Sequence, residues 1–186
     1  MHNGNSADSV EGQLLAAIST GNRSALYRLH FLYFPRLARF FARLTATSAA
    51  EIIDQLIADT MCDVWRTSAT IASETTAPIS IMRLAWARAR ARALEFSIPG
   101  SSTVPEKPRS LSEVLGRLQL PERAVLHLAR AAHSREEIAD ILSMSCESVD
   151  DHLASARIAL RDWLAMTRVA TEALSGEGHD VQISDL

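Results

Sequence analysis

The spacing of apolar and polar residues predicts helices along most of the chain. Apolar side chains recur every three or four positions over residues 11–18 and 24–44, as they do on the buried face of an amphipathic helix. Pro35 lies near the middle of the second stretch, which predicts either one helix with a kink or a pair of helices. Four arginines between the apolar positions indicate either a nucleic-acid contact or, as the favoured interpretation, a solvated face: Arg28, Arg36, Arg39 and Arg43.

Two further helices are predicted before residue 97. The first covers residues 49–66, where an apolar stripe alternates with acidic positions, and the polar residues 67–77 predict a loop after it. Pro78 suits the first turn of the next helix, because the N–H that proline lacks has no helical partner there. The end of this helix carries four arginines and no acid before Glu95, which indicates a nucleic-acid contact: Arg83, Arg88, Arg90 and Arg92. Pairing with the acids of the preceding helix is an equally weighted alternative.

Residues 98–109 interrupt the helical pattern. Prolines, a glycine and serines crowd this stretch and cannot propagate a helix or a strand, so we expect a linker. The chain then divides into an N-terminal module of residues 1–97, a C-terminal module of residues 110–170 and a flexible tail of residues 171–186. No segment has the alternation of a strand, and the predicted fold class is all-α.

The C-terminal module is predicted to contain a helix-turn-helix. Two of its helix starts have the spacing of a capping box, in which a serine and a later glutamate satisfy backbone N–H groups: Ser110 with Glu113, and Ser134 with Glu137. The second of these helices leads through a tight turn at residues 143–145 to a helix that begins near Ser145. The two helices have apolar positions spaced to face each other and the rest of the module: Ile138, Ile141, Leu142, Val149, Leu153, Ala156, Leu160 and Leu164.

Composition narrows the class of protein. Hydrophobic residues make up 47% of the chain, but charges interrupt every apolar run before it could span a membrane. The N-terminus lacks the pattern of a signal peptide, so we expect a cytoplasmic protein. The net charge of −3 argues against a general nucleic-acid coat. Cys62 and Cys146 are expected to be reduced, packed thiols.

Catalytic and metal-binding motifs are not apparent in the sequence. The spacing of four candidate ligands matches no standard zinc site: His127, His133, Cys146 and His152. We find no phosphate-binding glycine loop and no nucleophile motif, so neither an enzyme nor a cofactor is expected. Three tryptophans could stack on bases, although core packing is the expected role: Trp65, Trp86 and Trp163.

The order of these segments resembles the extracytoplasmic-function sigma factors of bacterial RNA polymerase. The resemblance is carried by four segments in sequence: "LYRLHFLYFPRLARFFARL", "DQLIADTMCDVW", "MRLAWARARARAL" and "LQLPERAVLHLARAAHSREEIADILSMSCESVDDHLASARIALR". It implies a transcription initiation factor that binds core RNA polymerase, directs it to promoter DNA and is controlled by an anti-sigma factor.

The resemblance also implies three sets of site residues. The acidic helix would bind polymerase through Asp54, Gln55, Asp59, Asp63 and Trp65. The following helix would hold the melted minus-ten element through Arg83, Arg88, Arg90 and Arg92. The second helix of the helix-turn-helix would meet the minus-thirty-five element, or a protein partner, through Ser145, Glu147, Ser148, Asp150, Asp151, His152, Ser155 and Arg157.

Some positions depart from the family pattern. Ser80 and Ala87 stand where the minus-ten helix has tryptophan and asparagine, and Asp150 and His152 stand where basic residues are common. Side chains from Ser145 to Arg157 sum to −2, which predicts weak duplex binding because carboxylates repel phosphate. Ser143 replaces a glycine that is usual in the turn, which predicts local strain.

Two functions stay open at this point: a sigma factor, or a sigma mimic that binds an anti-sigma factor without reading DNA. The first is favoured because the sequence has no receiver domain of the kind to which such mimics are fused. The arginine-rich helix, which a mimic would not need, favours the same choice.

Overall fold

The computed structural model describes residues 9–45, 49–73, 76–96 and 110–176. These ranges contain eight α-helices and no strand, so the predicted all-α class is confirmed. The helices are α1 (Val10–Ser19), α2 (Arg23–Leu44), α3 (Ala50–Ser73), α4 (Ala77–Phe96), α5 (Leu111–Arg117), α6 (Leu120–Arg130), α7 (Arg135–Leu142) and α8 (Cys146–Gly176). The predicted linker at residues 98–109 lies outside the described residues.

The first two helices are joined by a tight turn. Ser9 caps α1 by accepting from the N–H of Gly12, and Asn22 caps α2 by accepting from the N–H of Ala25. Gly21 lies between them with a φ of +87°, a conformation that glycine adopts without steric cost. Pro35 lies within α2, which continues on both sides of it, so the segment is one helix and not a pair.

The prediction of a loop at residues 67–77 is wrong, because α3 continues to Ser73. Ser68 and Ile71 extend the buried stripe of Val64 at helical spacing, so the end of the helix still packs on the core. Hydroxyl groups bond back to preceding carbonyls, as when Thr67 donates to the carbonyl of Asp63 at 2.8 Å. The predicted start of α4 at Pro78 is confirmed to within one residue.

The helix starts of the C-terminal half agree with the sequence prediction. Ser110 accepts from the N–H of Glu113, and Ser134 and Glu137 form the reciprocal capping box with both bonds at 3.1 Å. The apolar face predicted for α8 ends early, because Ala156 is buried whereas Leu164 is 59% exposed. The helix itself runs to Gly176, past the position where a flexible tail was predicted to begin.

Helices α1–α4 and helices α6–α8 share one continuous core. The two groups meet where α4 packs on α7 and α2 packs on α6, a contact that we call the seam. Trp86 is 3% exposed in the seam, which confirms a core role for this tryptophan, and its indole Nε1–H donates to the carbonyl of Leu142 at 3.1 Å. The rings of Phe40 and His127 lie 5.8 Å apart across the same contact.

Candidate partner-binding and nucleic-acid surfaces

One acid on the side of α3 that faces α4 is paired with an arginine of that helix. Nε and Nη2 of Arg88 donate to the two carboxylate oxygens of Asp63, both at 2.5 Å. This hydrogen bonding, together with the negative charge of Asp63, raises the pKa of Arg88 above its usual value. Of the two interpretations of the α4 arginines, the structure therefore shows for Arg88 the pairing with an acid of α3.

The rest of the predicted polymerase face remains accessible. Asp54 and Gln55 are exposed, and the Gln55 amide donates to the Asp59 carboxylate at 2.9 Å one turn along α3. Trp65 is half-buried and borders a shallow groove with Arg23, Leu26 and Tyr27 of α2. Carboxylate and amide groups thus share one face of α3, and an aromatic ring lies further along the same helix.

The remaining arginines of α4 have different environments. Nε–H of Arg83 donates to the carbonyl of Asp140 on α7 at 3.2 Å, so this side chain spans the seam. Arg90 is exposed, and Arg92 lines a small groove between α3 and α4 together with Gln55 and Asp59. The four arginines therefore do not form one continuous surface. Of the two α4 positions that depart from the family pattern, Ser80 is buried and Ala87 is exposed.

The start of α8 combines exposed acids with capping interactions. Oγ of Ser145 accepts from the N–H of Ser148 at 3.1 Å, which caps the helix. Asp150 accepts from Nη1 of Arg135 on α7 at 3.0 Å, and this interaction raises the pKa of Arg135. Glu147 and Asp151 are exposed. The negative charge predicted for this segment therefore lies on the surface, with one of its acids paired.

Two residues proposed as contacts in this segment are engaged or partly buried. Ser155 donates to the Glu122 carboxylate of α6, an interaction within the C-terminal helices. His152 is half-buried, whereas Arg157 is exposed. The acidic surface available to DNA or to a protein partner is therefore formed by Glu147, Asp150 and Asp151 in the first two turns of α8, and Arg157 adds an exposed cation one turn later.

The turn before α8 has the strained backbone that the sequence predicts. Ser143 lies in the left-handed region with φ 54° and ψ 51°, where a side chain crowds the backbone. Ala132, at the turn before α7, also has a positive φ, of 63°. The turns before and after α7 thus each contain a residue in a conformation that glycine would adopt at less cost.

Arginines of α2 line a cleft at the seam, which the sequence interpretation of a solvated face did not anticipate. Arg36, Arg39 and Arg43 face this cleft of about 890 Å³, which we call the seam cleft. Its other wall includes His127 and Arg130 of α6, the 131–133 turn and Glu137, and the start of α4 closes one end. The alternation of arginine with apolar residues in α2 was the sequence signal for this wall of the cleft. The opposite wall comes from residues 127–137, which are too far away in sequence to be linked to α2 by spacing.

The described residues contain neither a metal-binding cluster nor a membrane-spanning helix. Within residues 9–45, 49–73, 76–96 and 110–176, no group of three histidine, cysteine or acidic side chains is placed to hold a metal ion. None of the helices in the described part of the chain is sufficiently long and apolar to cross a bilayer. Cys62 and Cys146 are free thiols, but Cys62 is exposed, so the prediction that both are packed is wrong for Cys62.

Comparison with known proteins identifies a similar fold. No family model and no curated protein sequence matches the chain. Among solved structures, the chain is similar to that of CnrH in complex with the cytosolic domain of CnrY, with a TM-score of 0.64 and 22% identity. The match covers 85% of this chain and 99% of that chain. The all-helical fold of this chain is therefore similar to that of CnrH.

Proposed function

We propose that the chain is a transcription initiation factor that binds core RNA polymerase and directs it to promoter DNA. The observation that carries this proposal is the accessible acidic face of α3 within a fold similar to that of CnrH, in a chain whose sequence resembles the extracytoplasmic-function sigma factors. Asp54 and Gln55 project from this face, while the opposite side of the helix is buried. Exposed carboxylates suit a basic helical partner.

The proposal assigns different tasks to the two halves of the molecule. The N-terminal helices would bind polymerase through α3 and single-stranded DNA through the exposed part of α4, with Arg90 as an accessible cation. The α7–turn–α8 unit would act as a helix-turn-helix at duplex DNA. Arg83 is exposed, but its Nε–H is bonded to α7 across the seam, so DNA would contact its remaining N–H groups beside α7.

A regulatory protein partner fits the same proposal. The similar protein CnrH was solved with the cytosolic domain of CnrY bound. For the present chain we propose an anti-sigma partner whose basic surface matches the acids at the start of α8. The exposed Glu147 and Asp151 support this assignment.

The experiment that tests the polymerase contact is co-purification with core RNA polymerase, followed by run-off transcription on genomic fragments. Asp54→Lys combined with Asp59→Lys should abolish co-purification and leave helicity unchanged, because like charges across an interface cost several kcal/mol. Asp162→Lys, at an exposed position of α8, is the matched control and should bind normally. Undiminished binding of the double mutant would place the contact elsewhere.

A second candidate function is a sigma mimic that binds an anti-sigma factor and does not initiate transcription. The acidic start of α8 and the engagement of Arg83 in the seam favour it. The same experiment separates the two functions. Run-off transcripts support the initiation factor, whereas partner binding without transcripts supports the mimic.

A further inference from the structure

The seam cleft concentrates positive charge from both halves of the molecule. Three guanidinium groups come from α2 and one from α6, whereas Glu137 is the only carboxylate among the described residues that line the cleft. The whole chain carries a net charge of −3, so this is a local excess and not part of a generally basic surface. Neither Arg43 nor Arg130 shows an ion pair with the described residues, and both are exposed.

The two histidines of the cleft do not neutralise this charge. Nη2 of Arg36 lies 2.6 Å from Nε2 of His133, and Nδ1 of His133 lies 3.0 Å from a carboxylate oxygen of Glu137. Because arginine only donates, Nε2 of this ring must accept, and Nδ1 donates to Glu137. His133 thereby fixes Arg36 at the wall of the cleft and links it to α7.

The pKa of the second histidine, His127, reflects its burial and the positive charges around it. Burial lowers the pKa of His127 to about 4, and the charges of Arg43, Arg130 and Arg39 act in the same direction. These arginines belong to α2 and α6 and therefore approach one another across the seam. Like charges brought together across a contact repel, so an anion bound between them would stabilise the docked arrangement.

The dimensions of the cleft indicate the size of anion that would fit it. Arg36, Arg39 and Arg43 recur at helical spacing and extend over about 10 Å of the α2 axis, since each residue adds about 1.5 Å. A chain of phosphates matches a row of guanidinium groups of this length better than a single phosphate group does. A cleft of about 890 Å³ also lies within the range of small-ligand sites.

We propose that the seam cleft binds a small anion that carries two or more phosphate groups, held jointly by the arginines of α2 and by Arg130 of α6. Guanidinium groups suit this ligand because their planar N–H groups pair with two phosphate oxygens at once. Since the ligand contacts both halves, its binding favours the docked arrangement over a separated one. This site does not depend on polymerase binding, so its test does not depend on the function proposed above.

The test is calorimetric titration of the full-length protein with inorganic pyrophosphate at constant ionic strength, with sulfate as a competing simple anion. Arg43→Ala and Arg130→Ala should each weaken pyrophosphate binding about tenfold, the usual effect of losing a charge-assisted hydrogen bond. Arg28→Ala on α2 and Arg161→Ala on α8 remove the same charge from exposed positions outside the cleft and should leave the affinity unchanged. Thermal unfolding of each variant without ligand verifies that it folds.

The outcomes separate the proposal from its alternatives. Binding of pyrophosphate that depends on both Arg43 and Arg130 supports the site. If ATP then binds as tightly as pyrophosphate, the phosphate chain supplies the affinity; if ATP binds more tightly, the nucleoside contributes as well. Dependence on Arg43 alone would overturn a site shared by the two halves. Binding no tighter than that of sulfate would overturn specificity for phosphate chains, and tighter binding of oligo(dT) through the same arginines would assign the cleft to single-stranded nucleic acid instead.

Discussion

Arg88 of α4 and Asp63 of α3 form a two-pronged ion pair, so a residue predicted to hold DNA and a residue predicted to bind polymerase neutralise each other. The side chains are 34% and 19% exposed, which makes the pair partly desolvated. Arg88→Ala and Asp63→Ala should each lower the free energy of unfolding by about 1–3 kcal/mol. The double mutant should lose less unfolding free energy than the sum of the losses in the two single mutants, as measured by urea denaturation.

The matched control for this pair is Arg66→Ala. Arg66 also contacts Asp63, at 3.4 Å, but its side chain is 69% exposed. Its replacement should change the unfolding free energy by less than about 0.5 kcal/mol, because solvent screens exposed pairs. Strict additivity of the Arg88 and Asp63 effects would contradict the stabilising role of the pair.

Single-stranded DNA binding by α4 is best tested at Arg90. This residue is exposed, so its replacement by alanine removes a cation without disturbing the contact with α3. If α4 holds single-stranded promoter DNA, Arg90→Ala should reduce the slope of log affinity against log salt by roughly 0.7 for each phosphate that the arginine neutralises. Fluorescence anisotropy across a salt series measures this slope, with Arg28→Ala as an exposed control on α2. A slope equal to that of the unchanged protein would remove Arg90 from the interface.

Local signals account for the parts of the fold that the sequence predicts well. The capping box of Ser134 and Glu137 and the proline at the start of α4 act within a few residues, so they are recognisable without tertiary information. The end of α3 was missed because its serines and threonines look like a loop. Their hydroxyl groups are satisfied by the helix backbone, and Ser68 is buried by packing that the sequence does not show.

The candidate sites depend on contacts between residues far apart in the chain. The sequence identifies Arg88 and Asp63 as charged, but they are 25 positions apart, and the helix packing that brings them together was not predictable from spacing. Likewise, Arg36 and His133 meet only because α2 packs on α6. Charge type was therefore predictable, whereas pairing and exposure required the structure.

The low pKa of His127 predicts that acid destabilises the docked structure. Its pKa is about 4 in the folded protein, mainly because of burial, and 6.5 for an ordinary histidine. Above pH 6.5 both the folded and the unfolded protein have a neutral ring, so full stability is retained. As the pH falls from 6.5 toward 4, the unfolded chain takes up a proton that the folded protein rejects. Stability should fall by at most about 1.4 kcal/mol per pH unit, and by less because solvent reaches part of the ring.

Urea denaturation of the protein and of His127→Gln, at about pH 7 and about pH 5, measures this effect. Glutamine is neutral at both values, so the variant should lose less stability on acidification than the unchanged protein. The difference between the two proteins isolates His127 from other titrating groups. Equal losses would contradict the expected exclusion of the proton.

The left-handed conformation of Ser143 predicts a stabilising substitution. Glycine adopts this conformation freely, whereas a side chain raises its energy by about 1–2 kcal/mol. Part of the resulting stabilisation is offset because glycine also has greater conformational entropy in the unfolded chain. Ser143→Gly should therefore raise the unfolding free energy by about 0.5–1 kcal/mol. Ala154→Gly, at an exposed position inside α8, is the control and should lower it by about 1 kcal/mol. A loss of stability in Ser143→Gly would show that its side chain has a favourable interaction in the turn.

The acidic start of α8 allows the two proposed functions to be separated with one double mutant. Asp150→Lys with His152→Arg changes the charge of the segment from Ser145 to Arg157 from −2 to +1, because it removes one carboxylate and adds two cations. It also releases Arg135 from its 3.0 Å bond to Asp150, which provides another cation near the helix start. If α8 enters the major groove, duplex binding should become tighter, and its salt dependence should rise by roughly 0.9 for each additional phosphate that the protein neutralises.

A protein-binding surface predicts the opposite response to the same double mutant. The complex with an anti-sigma partner should then weaken, because its basic surface would meet cations where Asp150 and its acidic neighbours had been. Duplex affinity by fluorescence anisotropy and partner capture are to be measured on the same preparations, with Asp162→Lys as a charge control further along α8. We expect tighter duplex binding, since only Glu147 and Asp151 then remain as acids in the first two turns of α8 and the helix start still offers positive charge to phosphate. A double mutant that gains no duplex affinity and loses its partner would instead identify α8 as the surface of a sigma mimic.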